Sequence, residues 1–135
     1  MLADTDVLID VALDRKPHSK VACDLLDRLE RRPNSAFIAW HTGSNFSCLV
    51  ASKRGTAEPR GFLSELLGYV GVPPVDTAMP RNAITLPMSD FEDALQVAAA
   101  RACNARQIVT RNVNDYRLSP LPAISPQEAV SDLLL

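Results

Sequence analysis

Met1-Leu2-Ala3-Asp4-Thr5-Asp6-Val7-Leu8-Ile9-Asp10 is the stretch on which the fold class turns. Met1 to Ala3 is a short apolar start closed by an acid at Asp4, and it reads as the end of a β-strand. Asp6 to Leu13 reads as a short helix, broken by Asp14-Arg15-Lys16-Pro17. The same order, an apolar strand followed at once by a helix, recurs along the chain.

Residues 18–32 form an amphipathic helix, with Val21, Ala22, Leu25, Leu26 and Leu29 on one face and Arg28, Glu30, Arg31 and Arg32 mostly outside it. Pro33-Asn34-Ser35 makes a turn. Ala36 to Trp40 is then expected as a short buried strand, with Trp40 in the core. Thr42 is placed to cap a helix that runs to about Arg54 and stops at Gly55. A further helix over 58–70 carries Phe62, Leu63, Leu66, Leu67 and Val70 on one face and ends at Gly71. Val72 to Val75 reads as a small strand, and Pro80 sits in the first turn of a short helix ending near Leu86.

The most clearly signalled helix starts at Ser89, where Ser89 and Glu92 have capping-box spacing. Phe91, Ala94, Leu95, Ala98 and Ala102 supply its apolar stripe. Ile108 to Thr110 is the next strand. Ser125-Pro126-Gln127-Glu128 repeats the capping pattern before a last helix that runs to the C-terminus. This alternation predicts α/β: one domain over 1–135, three layers α/β/α, with a mostly parallel central sheet of four or five strands. In such sheets ligands bind beyond the carboxyl ends of the strands.

Composition limits the function classes. Of the 135 residues, 47% are hydrophobic and 22% charged, which suits a globular domain. A net charge of −2 argues against gripping nucleic acid by bulk positive charge, but not against gripping phosphates through a bound cation. The three cysteines, Cys23, Cys48 and Cys103, have neither disulfide-framework nor zinc spacing and are expected to be buried small hydrophobes in a reducing compartment. No apolar run approaches the ~20 residues of a membrane span. Asp4, Asp6 and Asp10 interrupt what a signal peptide would need, so the expected location is the cytoplasm.

Asp4 lies where the first strand ends, Asn112 and Asp115 lie just after the strand at 108–110, and Asp93 lies early in the capped helix. These acids, distant in sequence, are positioned to meet at one edge of the sheet. Converging carboxylates repel and call for a cation, and an oxygen-rich site suits Mg²⁺ or Mn²⁺. The chemistry that follows is phosphodiester hydrolysis. Read from the residues alone, helix capping and solvation remain an alternative account of the same acids.

Three blocks carry a family resemblance. Leu2-Ala3-Asp4-Thr5-Asp6-Val7-Leu8-Ile9-Asp10 is similar to the opening of PIN domains, usually D-T-N-V-L-I-D. Asp90-Phe91-Glu92-Asp93-Ala94-Leu95 resembles the family's D-x-x-D-A-L helix start. Ile108-Val109-Thr110-Arg111-Asn112-Val113-Asn114-Asp115-Tyr116 resembles its closing I-V-T-R-N-x-x-D-F. The blocks occur in family order and near family spacing, and the likeness spans nearly the whole chain. It implies a Mg²⁺- or Mn²⁺-dependent ribonuclease of the VapC-like toxin kind, with RNA as substrate, a small antitoxin protein as partner and a homodimer as the assembly. Carried over by position, Asp4, Asp93 and Asp115 match the metal-binding acids. Asn112 falls where the family has Asn or Asp, and Thr110 matches a hydroxyl that lines the site.

One departure stands out. The family usually has a Glu early in the helix after the second strand; here Trp40-His41-Thr42-Gly43-Ser44-Asn45-Phe46 places Asn45 there, a neutral side chain with a single carbonyl oxygen. The usual Asn of the opening block is Asp6, which is expected to restore part of the lost charge. His41-Thr42-Gly43-Ser44-Asn45 is also similar to an H-T-x-x-N pattern of a PIN-like subgroup.

Plainer readings stand beside these. Asp10 is expected to face solvent or a neighbouring helix, and Asp90 and Glu92 to serve the helix start. His41 is either structural or an auxiliary ligand or proton carrier beside Asn45. His18 reads as surface, and Arg28, Arg31 and Arg32 as a solvated face. Arg111 is the better candidate for a phosphate contact, with a lone surface arginine as its default. A scaffold with weakened catalysis that binds RNA or protein is the alternative function. A phosphoacceptor receiver domain is the remaining one, but Lys16, Lys20 and Lys53, the only lysines, are not placed for it.

Overall fold

A computed structural model of the chain describes residues 1–54 and 57–133. Gly55, expected to end a helix, and the last two residues lie outside the described residues. The strands are β1 (Leu2–Ala3), β2 (Ile108–Val109) and β3 (Ala123–Ile124), all parallel in the order β1-β2-β3. Leu2 stands opposite Ile108, and Ile108 opposite Ala123. Parallel bridges Leu2–Phe37 and Phe37–Gly71 extend the ladder by two more chain passes. Ala3 N–H donates to Phe37 O at 2.9 Å and Gly71 N–H to Ala36 O at 3.0 Å, so the sheet is five passes wide, within the four or five expected.

The helices are α1 (Thr5–Ala12), α2 (Ser19–Glu30), α3 (Trp40–Arg54), α4 (Ala57–Leu66), α5 (Ala78–Ile84), α6 (Phe91–Ala102) and α7 (Pro126–Asp132), with a 3₁₀ turn at Val113–Tyr116. Successive strand residues point to opposite faces of a sheet, and here they enter different cores. Ala3, Ile38 and Val109 pack with α1, α2, α3, α4 and α7, around Leu8, Leu25, Leu29 and Phe46. Leu2, Phe37 and Ile108 pack with α5 and α6, around Met79, Val97 and Ala98. Two cores on the two faces of one parallel sheet make the three layers.

Local chemistry explains most boundaries. At α7 Ser125 N–H donates to Glu128 Oε2 at 2.8 Å and Glu128 N–H to Ser125 Oγ at 3.2 Å, the capping box expected there. At α6 the cap is Asp90, not Ser89. The Asp90 carboxylate accepts from Asp93 N–H at 3.1 Å, so the helix starts one residue later than Ser89–Glu92 spacing implies. Phe91, the first residue of α6, is 51% exposed, and the buried stripe runs through Ala94, Val97 and Ala98. The far end of α6 closes on Asn104 at φ 56, with Ala105 N–H reaching Ala100 O at 2.9 Å.

Other expectations are corrected. The strand at 36–40 stops after Ile38 because α3 begins at Trp40; the side-chain period changes from two to 3.6, and Trp40 is left 70% exposed instead of in the core. Thr42 consequently lies inside α3 and is not its cap. The helix over 58–70 ends at Leu66, which leaves Leu67 half exposed. Gly71 is a sheet position, not a helix end: a Cβ there would meet the Phe37 ring at 3.0 Å. Residues 72–75 carry no strand. Cys23 and Cys48 are exposed, and Cys103, the cap that closes α6, is half-buried against the core; all three are free. No helix among the described residues is long and apolar enough to cross a membrane.

Candidate functional site

β1 ends at Asp4 because Asp4 is also the cap of α1, with extended backbone (φ −71°, ψ 155°) and its Oδ1 accepting from Thr5 N–H at 2.7 Å. Three more donors converge on the same carboxylate. Gln96 Nε2 reaches Oδ1 at 3.2 Å, Thr110 Oγ1 reaches Oδ2 at 3.0 Å, and the Tyr116 hydroxyl reaches Oδ2 at 2.9 Å. Burial pushes the Asp4 carboxyl above its ordinary range, and the hydrogen bonds from Tyr116, Thr110 and Thr5 oppose that.

Asp93, one turn into α6, is tied to Asp4 through Tyr116, whose hydroxyl also lies 3.3 Å from Asp93 Oδ1. Burial first, then the charges of Asp4 and Asp90, push the Asp93 carboxyl up to about 7. The Tyr116 hydroxyl is raised further from ionisation by burial and by Asp4 and Asp93, so it stays a donor. It holds one proton for two carboxylates.

Asp6, one residue into α1 from Thr5, faces the segment after β2. Its Oδ2 accepts from Thr110 Oγ1 at 3.0 Å, from Arg111 N–H at 3.1 Å and from Asn112 Nδ2 at 3.1 Å. Burial and the charge of Asp4 push its carboxyl up to about 7. Asp10, four residues on and hence on the same helix face, was expected to face solvent or a helix. Instead it is buried, with its Oδ2 accepting from Arg111 Nε at 2.8 Å and its Oδ1 from Arg111 Nη2 at 3.3 Å. The guanidinium expected to meet phosphate is therefore compensated by Asp10.

α3 contributes from above the sheet. The Thr42 hydroxyl, fully buried, lies 3.0 Å from Thr5 Oγ1 and 3.2 Å from Gln96 Nε2. Both ring nitrogens of His41 are buried with no partner among the described residues, and burial lowers its pKa while the charges of Glu92 and Asp4 raise it. Asn45 is half-buried on α3, one turn before Leu49.

Asp4, Asp6, Asp93, Asp90, Glu92, Asn112 and Leu49 line a cleft of about 200 Å³. Asp93 and Asp90 also border a second cavity of about 260 Å³, whose far wall holds Asp115. Asp90 and Asp93 thus line both spaces, with Asp4 in the lining of the first and Asp115 in that of the second. No group of three or more His, Cys, Asp or Glu among the described residues closes into a metal-binding set. The donor chemistry nonetheless suits a hard cation. Mg²⁺ keeps several waters and takes one or two protein carboxylates, and three acids of the cleft, Asp4, Asp6 and Asp93, carry raised pKa values that a nearby positive charge would oppose.

Sequence reading missed Gln96, Tyr116, Thr5 and Thr42. Gln96 had a signal: it is the one polar residue in the Ala-rich run 94–100, and it follows Asp93 by three positions on the same helix face.

The architecture defines a class, a parallel α/β/α domain with an acidic cleft at the carboxyl end of its sheet. Residues 1–114 match the PIN domain, and the chain belongs to the PIN domain family. PIN domains are in general nucleases that use divalent metal ions. That membership sets aside the receiver-domain reading. In structure the chain is similar to the crystal structure of VapBC2 from Rickettsia felis bound to a DNA fragment from their promoter, with a TM-score of 0.71 and 16% sequence identity over 92% of this chain and 96% of that one. That likeness is one of fold. No curated protein matches the chain in sequence.

Proposed function

We propose that the protein is a Mg²⁺- or Mn²⁺-dependent endoribonuclease acting as the toxin of a toxin–antitoxin pair. One observation carries the reading: the Tyr116 hydroxyl bridges Asp4 and Asp93, drawing a carboxylate from the end of β1 and one from α6 into a single cleft. Five acids, Asp4, Asp6, Asp90, Glu92 and Asp93, line this cleft against a single basic residue, Arg15, among the described lining, while Arg111 is turned to Asp10.

In this reading Asp4 and Asp93 hold the cation, with Asp115, which shares the second cavity with Asp93, as a further ligand. When bound, the ion neutralises phosphate charge and acidifies a water. Tyr116 can pass its single hydrogen bond between Asp4 and Asp93, so either carboxylate can be left free to face a ligand. Thr110 does the same between Asp4 and Asp6. Asn112, exposed and on the wall of the cleft, is placed to meet substrate, and the exposed edge of Arg111 lies beside it. Asp6 supplies charge that Asn45 lacks; unchanged Mn²⁺ affinity in Asp6→Asn would refute that role. The likeness to the VapBC2 complex supports an antitoxin protein as partner; a homodimer is the assembly that the family resemblance implies.

The test is cleavage of RNA by the purified protein with Mg²⁺, Mn²⁺ or EDTA. Cleavage is expected with the metals and not with EDTA. Asp4→Asn and Asp93→Asn should each lower the rate by at least about 100-fold, about 2.7 kcal/mol of barrier. Equal cleavage by wild type and both variants would overturn the assignment. A second reading, a PIN scaffold with weakened catalysis that binds RNA or protein, is favoured by Asn45 and would show as RNA binding without metal-dependent cleavage.

A further inference from the structure

We propose that Gln96 is a positioning residue that fixes the orientation of Asp4, so that Oδ1 is clamped by the protein and Oδ2 alone is presented to the cleft. The inference rests on the reading of Asp4 as a metal carboxylate. Gln96 is 0% exposed, and its Nε2 lies 3.2 Å from Asp4 Oδ1, 3.3 Å from Thr5 Oγ1 and 3.2 Å from Thr42 Oγ1. The amide nitrogen must be the atom facing this cluster, because a carboxylate can only accept. Its own carbonyl, Oε1, is buried with no partner among the described residues. A glutamine serving the core alone would be poorly chosen here, since an unpaired buried carbonyl disfavours folding and an apolar side chain of similar size would avoid it.

The two oxygens of Asp4 are held differently. Oδ1 takes Thr5 N–H, which α1 fixes, and the Gln96 amide, which the Thr5–Thr42 hydroxyl pair fixes. Neither donor has another carboxylate to turn to. Oδ2 takes the hydroxyls of Thr110 and Tyr116, and each of these has an alternative acceptor, Asp6 Oδ2 and Asp93 Oδ1. A cation arriving at Oδ2 can therefore displace both hydroxyls onto neighbouring carboxylates, whereas one arriving at Oδ1 would strand a buried amide. Gln96 also joins three elements, α6, α1 and α3, behind the site.

The experiment measures Mn²⁺ affinity, from the free-ion paramagnetic resonance signal, for the full-length wild type, Gln96→Leu and Thr42→Val, each at a temperature where thermal unfolding shows it folded. Partners of metal ligands are typically worth 10–100-fold in affinity. Gln96→Leu is expected to bind Mn²⁺ at least about tenfold more weakly, and Thr42→Val to weaken binding in the same direction by several-fold. A folded Gln96→Leu protein that binds within about twofold of wild type would overturn the inference; if that variant does not fold, the same result in Thr42→Val would overturn it. Wild type that binds no Mn²⁺ would sink the metal reading. The clamp is then judged from a metal-free crystal structure of the variant: an Asp4 carboxylate rotated from its wild-type plane supports it, and one left in place refutes it.

Discussion

Arg111→Ala should destabilise the metal-free protein strongly at pH 7. The Asp10 side chain is 2% exposed and its partner Arg111 28%, with contacts at 2.8 and 3.3 Å. Removing Arg111 leaves a buried carboxylate with no counter-charge, a change that typically costs about 3–5 kcal/mol. Asp10→Ala is not the mirror image, because the freed guanidinium can turn to water; it should cost only about 1–2 kcal/mol. Urea unfolding followed by circular dichroism in EDTA at pH 7 measures both costs. If Arg111→Ala lies within about 1 kcal/mol of wild type at pH 7 while RNA binding collapses, the pairing is incidental and Arg111 is a phosphate ligand after all.

Asp6 and Asp93 have folded pKa values raised to about 7, so their contribution to stability is present below the unfolded carboxyl pKa and is lost as pH rises to about 7. Without metal, wild type should therefore lose melting temperature relative to Asp93→Asn between pH 4 and 7, and added Mn²⁺ should stabilise wild type more at pH 8 than at pH 6; a gap that stays constant with pH would contradict the electrostatics. Asn45→Glu should tighten Mn²⁺ by about tenfold and raise cleavage, whereas no change in either would place Asn45 away from the metal. Ser125→Ala removes half of the α7 capping box and should cost about 1 kcal/mol in urea unfolding without altering Mn²⁺ affinity, and a loss of affinity would mean that α7 shapes the site.

What the sequence determined by itself was local. Leu2-Ala3-Asp4 shows the passage from strand to helix because the cap and the strand end are the same residue. Ser125 and Glu128 find each other across three positions, and the alternation of short apolar runs with helical stripes is enough for a parallel three-layer fold. Where two local signals competed, at the junction from Phe37 to Trp40, the early start of α3 turned Trp40 to the outside, because a helical residue rotates its side chain by about 100° where a strand residue alternates faces. The partners inside the site were decided by the tertiary structure alone. Arg111 meets Asp10 across 101 positions, Gln96 meets Asp4 across 92, and Tyr116 meets Asp4 across 112. Nothing near any of these residues announces its partner, since a buried donor takes whichever acceptor the packed sheet and helices bring within about 3 Å.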